Sequence, residues 1–148
     1  MNKTGTKTAA FVGALLVLVL AAVCAHAAGD DTTKLRISTL SKPETCTRTA
    51  KNGDRLRMHY RGALLDGTVF DESYKRGEPF EFVLGAGMVI RGWEEGIPGM
   101  CVGEKRRLQI PPTMGYGSRR VGPIPANSVL VFDIELLAAE PQGHNTEL

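Results

Sequence analysis

The alternation of apolar and polar positions is most informative between Pro79 and Ile110. Phe80, Phe82 and Leu84 alternate with Glu81 and Val83, the period of two expected of a strand with one face on a core. Gly85 and Gly87 break that pattern. Val89, Ile90, Trp93 and Ile97 then recur at helical spacing, with Arg91, Glu94 and Glu95 on the opposite face, which predicts one short amphipathic helix carrying the single tryptophan of the chain. Gly96, Pro98 and Gly99 stop it, and Lys105 to Ile110 predict another strand with Leu108 and Ile110 turned inward.

The same reading extends to both sides. Leu35, Ile37 and Thr39 alternate with Lys34, Arg36 and Ser38 as a first strand that Pro43 ends, and Leu56, Met58 and Tyr60 alternate with Arg55, Arg57 and His59 as a second, placing His59 on the outward face. Asp66-Gly67 is a hairpin signal that turns the backbone into Thr68, Val69 and Phe70. Tyr74 to Glu78 reads as a surface loop. Pro111, Pro112, Gly115, Gly117, Gly122, Pro123 and Pro125 exclude a regular element until Ser128, and so long an irregular loop in a small domain points to function. Val129 to Leu137 is the most apolar strand and is expected at the centre of the sheet.

The first 27 residues stand apart. Lys3 and Lys7 precede an apolar run from Ala9 to Val23 that ends at Ala25-His26-Ala27, the layout of a signal peptide cleaved before Ala28. An uncleaved anchor is the alternative, with an apolar run short for a span of about 20 residues. Removing 27 of 148 residues leaves 121, the size of one domain. It also removes 2 of the 18 basic residues, so 16 face 16 acidic ones, a balance that argues against a nucleic-acid partner. Cys46 and Cys101 remain as an even pair in a chain sent to an oxidising compartment, which points to a disulfide, with two free buried thiols as the alternative.

Several chemistries are set aside by spacing. Gly85, Gly87 and Gly92 do not make G-x-G-x-x-G, and Gly99 to Lys105 lacks the spacing and the Ser/Thr of a P-loop. His59 and His144 are the only histidines after the leader, too few and too far apart in pattern for a zinc site or a Ser-His-Asp triad; no metal and no cofactor are expected. What remains is an aromatic and aliphatic set spread over every element: Tyr60, Phe70, Phe80, Val89, Ile90, Trp93, Tyr116, Ile124 and Phe132. Such a set describes a core as readily as a pocket. Two details favour a pocket: Tyr60 and Tyr116 bring hydroxyls that need partners, and Asp71 directly follows Phe70.

Val89-Ile90-Arg91-Gly92-Trp93-Glu94-Glu95-Gly96, with His59-Tyr60, Asp66-Gly67, Phe70-Asp71, Pro79-Phe80, Gly115-Tyr116-Gly117 and Leu130-Val131-Phe132, resembles the tacrolimus-binding immunophilins, the FKBP-type peptidyl-prolyl cis-trans isomerases. The match runs in order from about Arg36 to Leu137. The segment Gly99 to Arg106 and the positions of Cys46 and Cys101 are most similar to the family's endoplasmic-reticulum luminal member. Asn145-Thr146-Glu147-Leu148 is similar to the Lys-Asp-Glu-Leu retention signal.

The resemblance implies an α+β fold, an antiparallel sheet of five to six strands wrapped around one short α-helix. Together with the leader pattern, it divides the chain into a signal peptide over 1–27, a flexible segment over 28–33, an isomerase domain over 34–140 and a polar tail over 141–148 that carries the retention-like tetrapeptide. Trp93 would be the pocket floor; Tyr60, Phe80, Val89, Ile90 and Phe132 would line it, with Ile124 keeping its place; Phe70 and Tyr116 would form the rim. Asp71 would pair with Arg76 and Tyr60, and the Ile90 N–H and the Tyr116 hydroxyl would hold substrate carbonyls. Two departures stand out: Met114 where the family often has tyrosine, and a loop from Ser118 to Ala126 about one residue short that carries Arg119, Arg120 and Pro123. The implied activity is isomerisation of X-Pro bonds in proteins of the secretory pathway, by a monomer in the endoplasmic-reticulum lumen that tacrolimus or rapamycin inhibits. Secretion is the alternative address, and a non-catalytic chaperone or scaffold that binds proline peptides or macrolides is the alternative function.

Overall fold

A computed structural model describes residues 31–143, so the expected leader and the tetrapeptide at 145–148 lie outside the described residues. The chain forms β1 (Arg36–Ser41), β2 (Asp54–Leu64), β3 (Val69–Glu72), α1 (Ser73–Arg76), β4 (Phe80–Val83), α2 (Arg91–Gly96), β5 (Lys105–Ile110) and β6 (Leu130–Pro141), with a 3₁₀ turn at Pro112–Met114. The six strands make one sheet in the order β1-β5-β6-β2-β3, and β4 pairs with β2 beyond β3. All pairings are antiparallel. The apolar strand β6 therefore lies between β5 and β2, as its composition predicts.

The alternation in the sequence becomes the two faces of this sheet. Leu56, Met58 and Tyr60 of β2, Leu108 and Ile110 of β5, and Leu130, Phe132, Ile134 and Leu136 of β6 are buried on the concave face. Arg57, Lys105 and Arg107 on the other face meet Glu81, Glu135 and Asp133 across the strands. Such exposed pairs add little to stability. Helix α2 lies in the concavity and buries Trp93, and Ile97 just beyond it.

Glycine sets how closely that helix approaches. A Cβ on Gly92 would stand 2.5 Å from the Ile110 side chain, and one on Gly96 would stand 2.7 Å from Leu108. One turn apart, these two residues seat the helix backbone directly on the Ile110 and Leu108 side chains of β5. Gly96, which the sequence reads only as a stop signal, is thus a packing residue.

Three local expectations are corrected. The segment expected as a surface loop, Tyr74 to Glu78, opens with the single helical turn α1, closed by Gly77 in the left-handed region at φ 72°, whose N–H donates to the Tyr74 carbonyl. Four residues are too few to show a helical period. Of the alternating Leu35, Ile37 and Thr39, only Leu35, just before β1, packs against the core; all six residues of β1 are exposed, Ile37 at 48%, because β1 is the edge strand. The last strand runs from Leu130 to Pro141, past the expected end at Leu137, and a 3₁₀ turn interrupts the long loop.

Cys46 and Cys101 form a disulfide with Cα atoms 5.6 Å apart, which closes the alternative of free thiols. Beside it, the buried Glu104 accepts the Cys101 N–H at 2.9 Å and pairs with Arg106 at 2.8 Å. Here a buried carboxylate is compensated by a charge and a backbone donor, as it must be in a low dielectric.

Candidate functional site

The concave side of the sheet opens into a cavity of about 360 Å³ lined by Tyr60, Phe70, Asp71, Phe80, Met88, Val89, Ile90, Trp93, Tyr116 and Phe132. Trp93 is 4% exposed, and Tyr60, Phe80 and Phe132 meet it edge-on with centroids 5.3, 6.0 and 5.2 Å away. Edge-to-face packing is favourable for rings of this quadrupole. It leaves a rigid apolar wall. Phe70 extends the wall from β3 by meeting Phe132 at 5.6 Å, a contact that Gly62 on β2 permits, since a Cβ there would strike both rings at 2.7 Å.

Each side chain arrives by a different route. Phe132 of β6 pairs with Gly62 of β2 and meets the ring of Tyr60 diagonally at 6.1 Å, and Phe80 begins β4. Val89 and Ile90 enter α2, and Trp93 is its inward residue. The Ile90 carbonyl accepts the N–H groups of Trp93 at 2.9 Å and Glu94 at 3.2 Å, while its own N–H meets no acceptor among the described residues. Trp93 Nε1 is likewise buried without a partner among the described residues. The cavity wall thus carries hydrogen-bond donors that the fold itself does not use.

Asp71 is the one carboxylate in the lining. It accepts the Tyr60 hydroxyl, and Arg76 bridges the pair, donating to Asp71 Oδ1 at 2.5 Å and to the Tyr60 hydroxyl oxygen at 2.8 Å. Partial burial would raise the Asp71 carboxyl, but the hydrogen bonds from Tyr60 and Arg76 and the Arg76 charge outweigh it and hold it below the ordinary carboxylate range. Burial, reinforced by the bond to Asp71, pushes the Tyr60 phenol up. Asp71 is therefore an ion, and Tyr60 a neutral donor, throughout the neutral range. Neither is poised to move a proton near pH 7.

The structure brings Tyr60, Phe70, Asp71, Phe80, Val89, Ile90, Trp93, Tyr116 and Phe132 to one cavity. Arg76 stands outside the lining and acts through Asp71 and Tyr60. Ile124 is not among the residues that line the cavity; it is 5% exposed and exchanges two backbone hydrogen bonds with Val121 that close a tight turn in the loop. His59 lies away from the cavity, stacked on Tyr74 at 4.5 Å with Nδ1 2.9 Å from Ser73 Oγ. Met88, which the sequence did not single out, lines the mouth; it precedes the helical face by one position, in a glycine turn without a period to mark it.

Residues 46–137 match the model of the FKBP-type peptidyl-prolyl cis-trans isomerases. The chain belongs to this family. It is 50% identical over 124 residues to FK506-binding protein 2 of Dictyostelium discoideum, covering 83% of this chain and 93% of that one. It is 48% identical over 128 residues to peptidyl-prolyl cis-trans isomerase FKBP15-1 of Arabidopsis thaliana, covering 86% and 84%. Among solved structures, FkpA from Escherichia coli superposes with a TM-score of 0.65 at 42% identity over 72% of this chain and 48% of that one. AtFKBP13 does so with the same TM-score of 0.65 at 40% identity over 70% and 91%. The FKBP-type domain thus spans the disulfide, the α2 helix and every residue of the cavity.

Proposed function

We propose that this FKBP-type protein accelerates rotation about X-Pro bonds of secretory-pathway proteins by binding the twisted amide in the Trp93 cavity. The barrier is about 18–20 kcal/mol because amide resonance is lost on twisting. No covalent bond needs to break. A planar amide carries more charge separation than a twisted one, so a wall of Trp93, Phe132, Phe80 and Phe70 that excludes water penalises the planar ground state more. Hydrogen bonds aimed at the twisted geometry add to this, and the Ile90 N–H and the Tyr116 hydroxyl are the donors for the substrate carbonyls. Only interactions stronger in the twisted state raise the rate, about 1.4 kcal/mol for each factor of ten.

The single observation that carries this reading is the pairing of an aromatic floor with a lining whose one carboxylate is already bound by Arg76 and Tyr60. Such a site favours an uncharged, apolar ligand with carbonyl acceptors, which describes a prolyl peptide. It also describes a macrolide: the FK506-binding name of the Dictyostelium relative supports binding of tacrolimus, and inhibition by tacrolimus and rapamycin is part of the proposal. The Cys46–Cys101 disulfide, with the leader pattern, supports an oxidising lumen as the site of action. Endoplasmic-reticulum retention through residues 145–148 completes the proposal, and the chain acts as a monomer.

The test is turnover of a short X-Pro peptide with and without tacrolimus. Acceleration over the uncatalysed rate that the macrolide titrates away is expected. Failure to accelerate any X-Pro peptide, with the peptide still bound, would replace the enzyme by a binding module.

A further inference from the structure

We propose that Met88 is a specificity contact for an apolar side chain flanking the proline, and that Glu94 is the positioning residue that holds it there. The inference rests on the isomerase reading of this cavity and adds to it the residue that selects among X-Pro sequences. Met88 is 60% exposed, against 36% for Tyr116, so of the lining residues it is the one that stands farthest into solvent at the mouth. A proline ring seated on Trp93 leaves its neighbours about 3.8 Å away along the chain, where their side chains pass over that mouth. A thioether on three rotatable bonds adapts to leucine, phenylalanine or methionine alike.

An exposed methionine on a free loop would select nothing, because ordering it would cancel the gain. Here the loop is clasped. Both carboxylate oxygens of Glu94 are occupied by it, Oε2 accepting the Gly85 N–H at 2.6 Å and Oε1 the Gly87 N–H at 2.9 Å. Gly85 at φ 83° and Gly87 at φ 69° adopt the left-handed backbone that turns both N–H groups toward one acceptor. Glu94 follows Trp93 in α2, so the clasp fixes the rim to the helix that carries the floor. Charge-assisted bonds of this kind are stronger than neutral ones and set geometry. Asp71 is engaged by Tyr60 and Arg76, so Met88 faces no uncompensated charge within the lining.

The test is the ratio of kcat/KM for leucine over alanine, placed in turn before and after the proline of a short peptide, in full-length protein. For a contact at an open rim the ratio at one of the two positions should fall about three- to tenfold in Met88→Ala, the lower end of what a hydrophobic contact contributes to selection. Met88→Leu should keep it. Glu94→Ala should lower the same ratio, and the double variant Met88→Ala/Glu94→Ala should lower it no further than Met88→Ala does, a coupling that a purely stabilising role for Glu94 would not produce. Peptides turned over by the native protein with both ratios unchanged in Met88→Ala would overturn the specificity contact and leave the isomerase standing. No turnover of any peptide by the native protein would overturn both.

Discussion

A Cβ atom on Gly92 would stand 2.5 Å from Cγ2 of Ile110, closer than two carbons can approach. The helix that supplies the pocket floor therefore rests its backbone on the Ile110 side chain of β5, with no side chain of its own between. Gly92→Ala must either push α2 off the sheet or displace a fully buried isoleucine. Overpacking of this kind costs about 1–3 kcal/mol. Urea denaturation should show that loss, with a fall in peptide turnover beyond it because Trp93 moves with the helix.

Phe70 and Phe132 touch one another, but their burial differs: Phe132 is 4% exposed in the core cluster, whereas Phe70 is half-buried at its margin. Phe132→Ala should therefore cost about 3–5 kcal/mol of stability together with activity. Phe70→Ala should lower kcat/KM by about tenfold or more, equivalent to about 1.4 kcal/mol, while shifting the thermal midpoint much less. Circular dichroism melts alongside peptide turnover separate the two effects.

The Asp71 carboxyl is held below its ordinary value in the folded protein, so its contribution to stability is present above the unfolded pKa of about 3.9 and is lost as pH falls through the lower folded value. Asp71→Asn removes the charge that Arg76 and Tyr60 bind. The difference in melting temperature between native protein and Asp71→Asn should be constant from neutral pH to about pH 5, then shrink toward acid. A difference that grows on acidification would contradict the pairing.

The Cys46–Cys101 disulfide closes a loop with a sequence separation of 55, worth about 4 kcal/mol if its effect is on the unfolded chain. The replacement pair Cys46→Ala/Cys101→Ala should lose stability of that order. Neither cysteine touches the cavity, so turnover per folded molecule should persist at temperatures where the variant remains folded.

The main strands were legible because their inner residues repeat every two positions, as in Leu56, Met58 and Tyr60, and α2 because Trp93 and Ile97 recur at helical spacing, although Val89 and Ile90 of the same pattern precede the helix, Ile90 in extended backbone, and the helix starts only at Arg91. The cavity followed from the motif resemblance, which carries a set of residues that no single period could assemble. What stayed hidden depends on contacts between distant residues. Nothing local says that Gly92 and Gly96 will meet Ile110 and Leu108, that β1 will be an uncovered edge, or that Ile124 will turn into the core. The Glu94 clasp hides for the same reason: its acceptors are read from sequence as a helix's solvent face, and its donors as loop glycines.

Catalysis by desolvation and hydrogen bonding to a twisting amide requires no proton transfer. The site agrees, since Asp71 is held ionised, Tyr60 is held neutral and His59 lies away from the cavity. The most direct test is the pH profile of kcat/KM for an X-Pro peptide, with its solvent deuterium isotope effect. The account predicts a nearly flat profile from about pH 5.5 to 9, since ordinary carboxylates are already ionised and tyrosines still neutral there, and an isotope effect near unity. A bell-shaped profile with an isotope effect well above unity would show that a proton moves in the rate-limiting step and would contradict it.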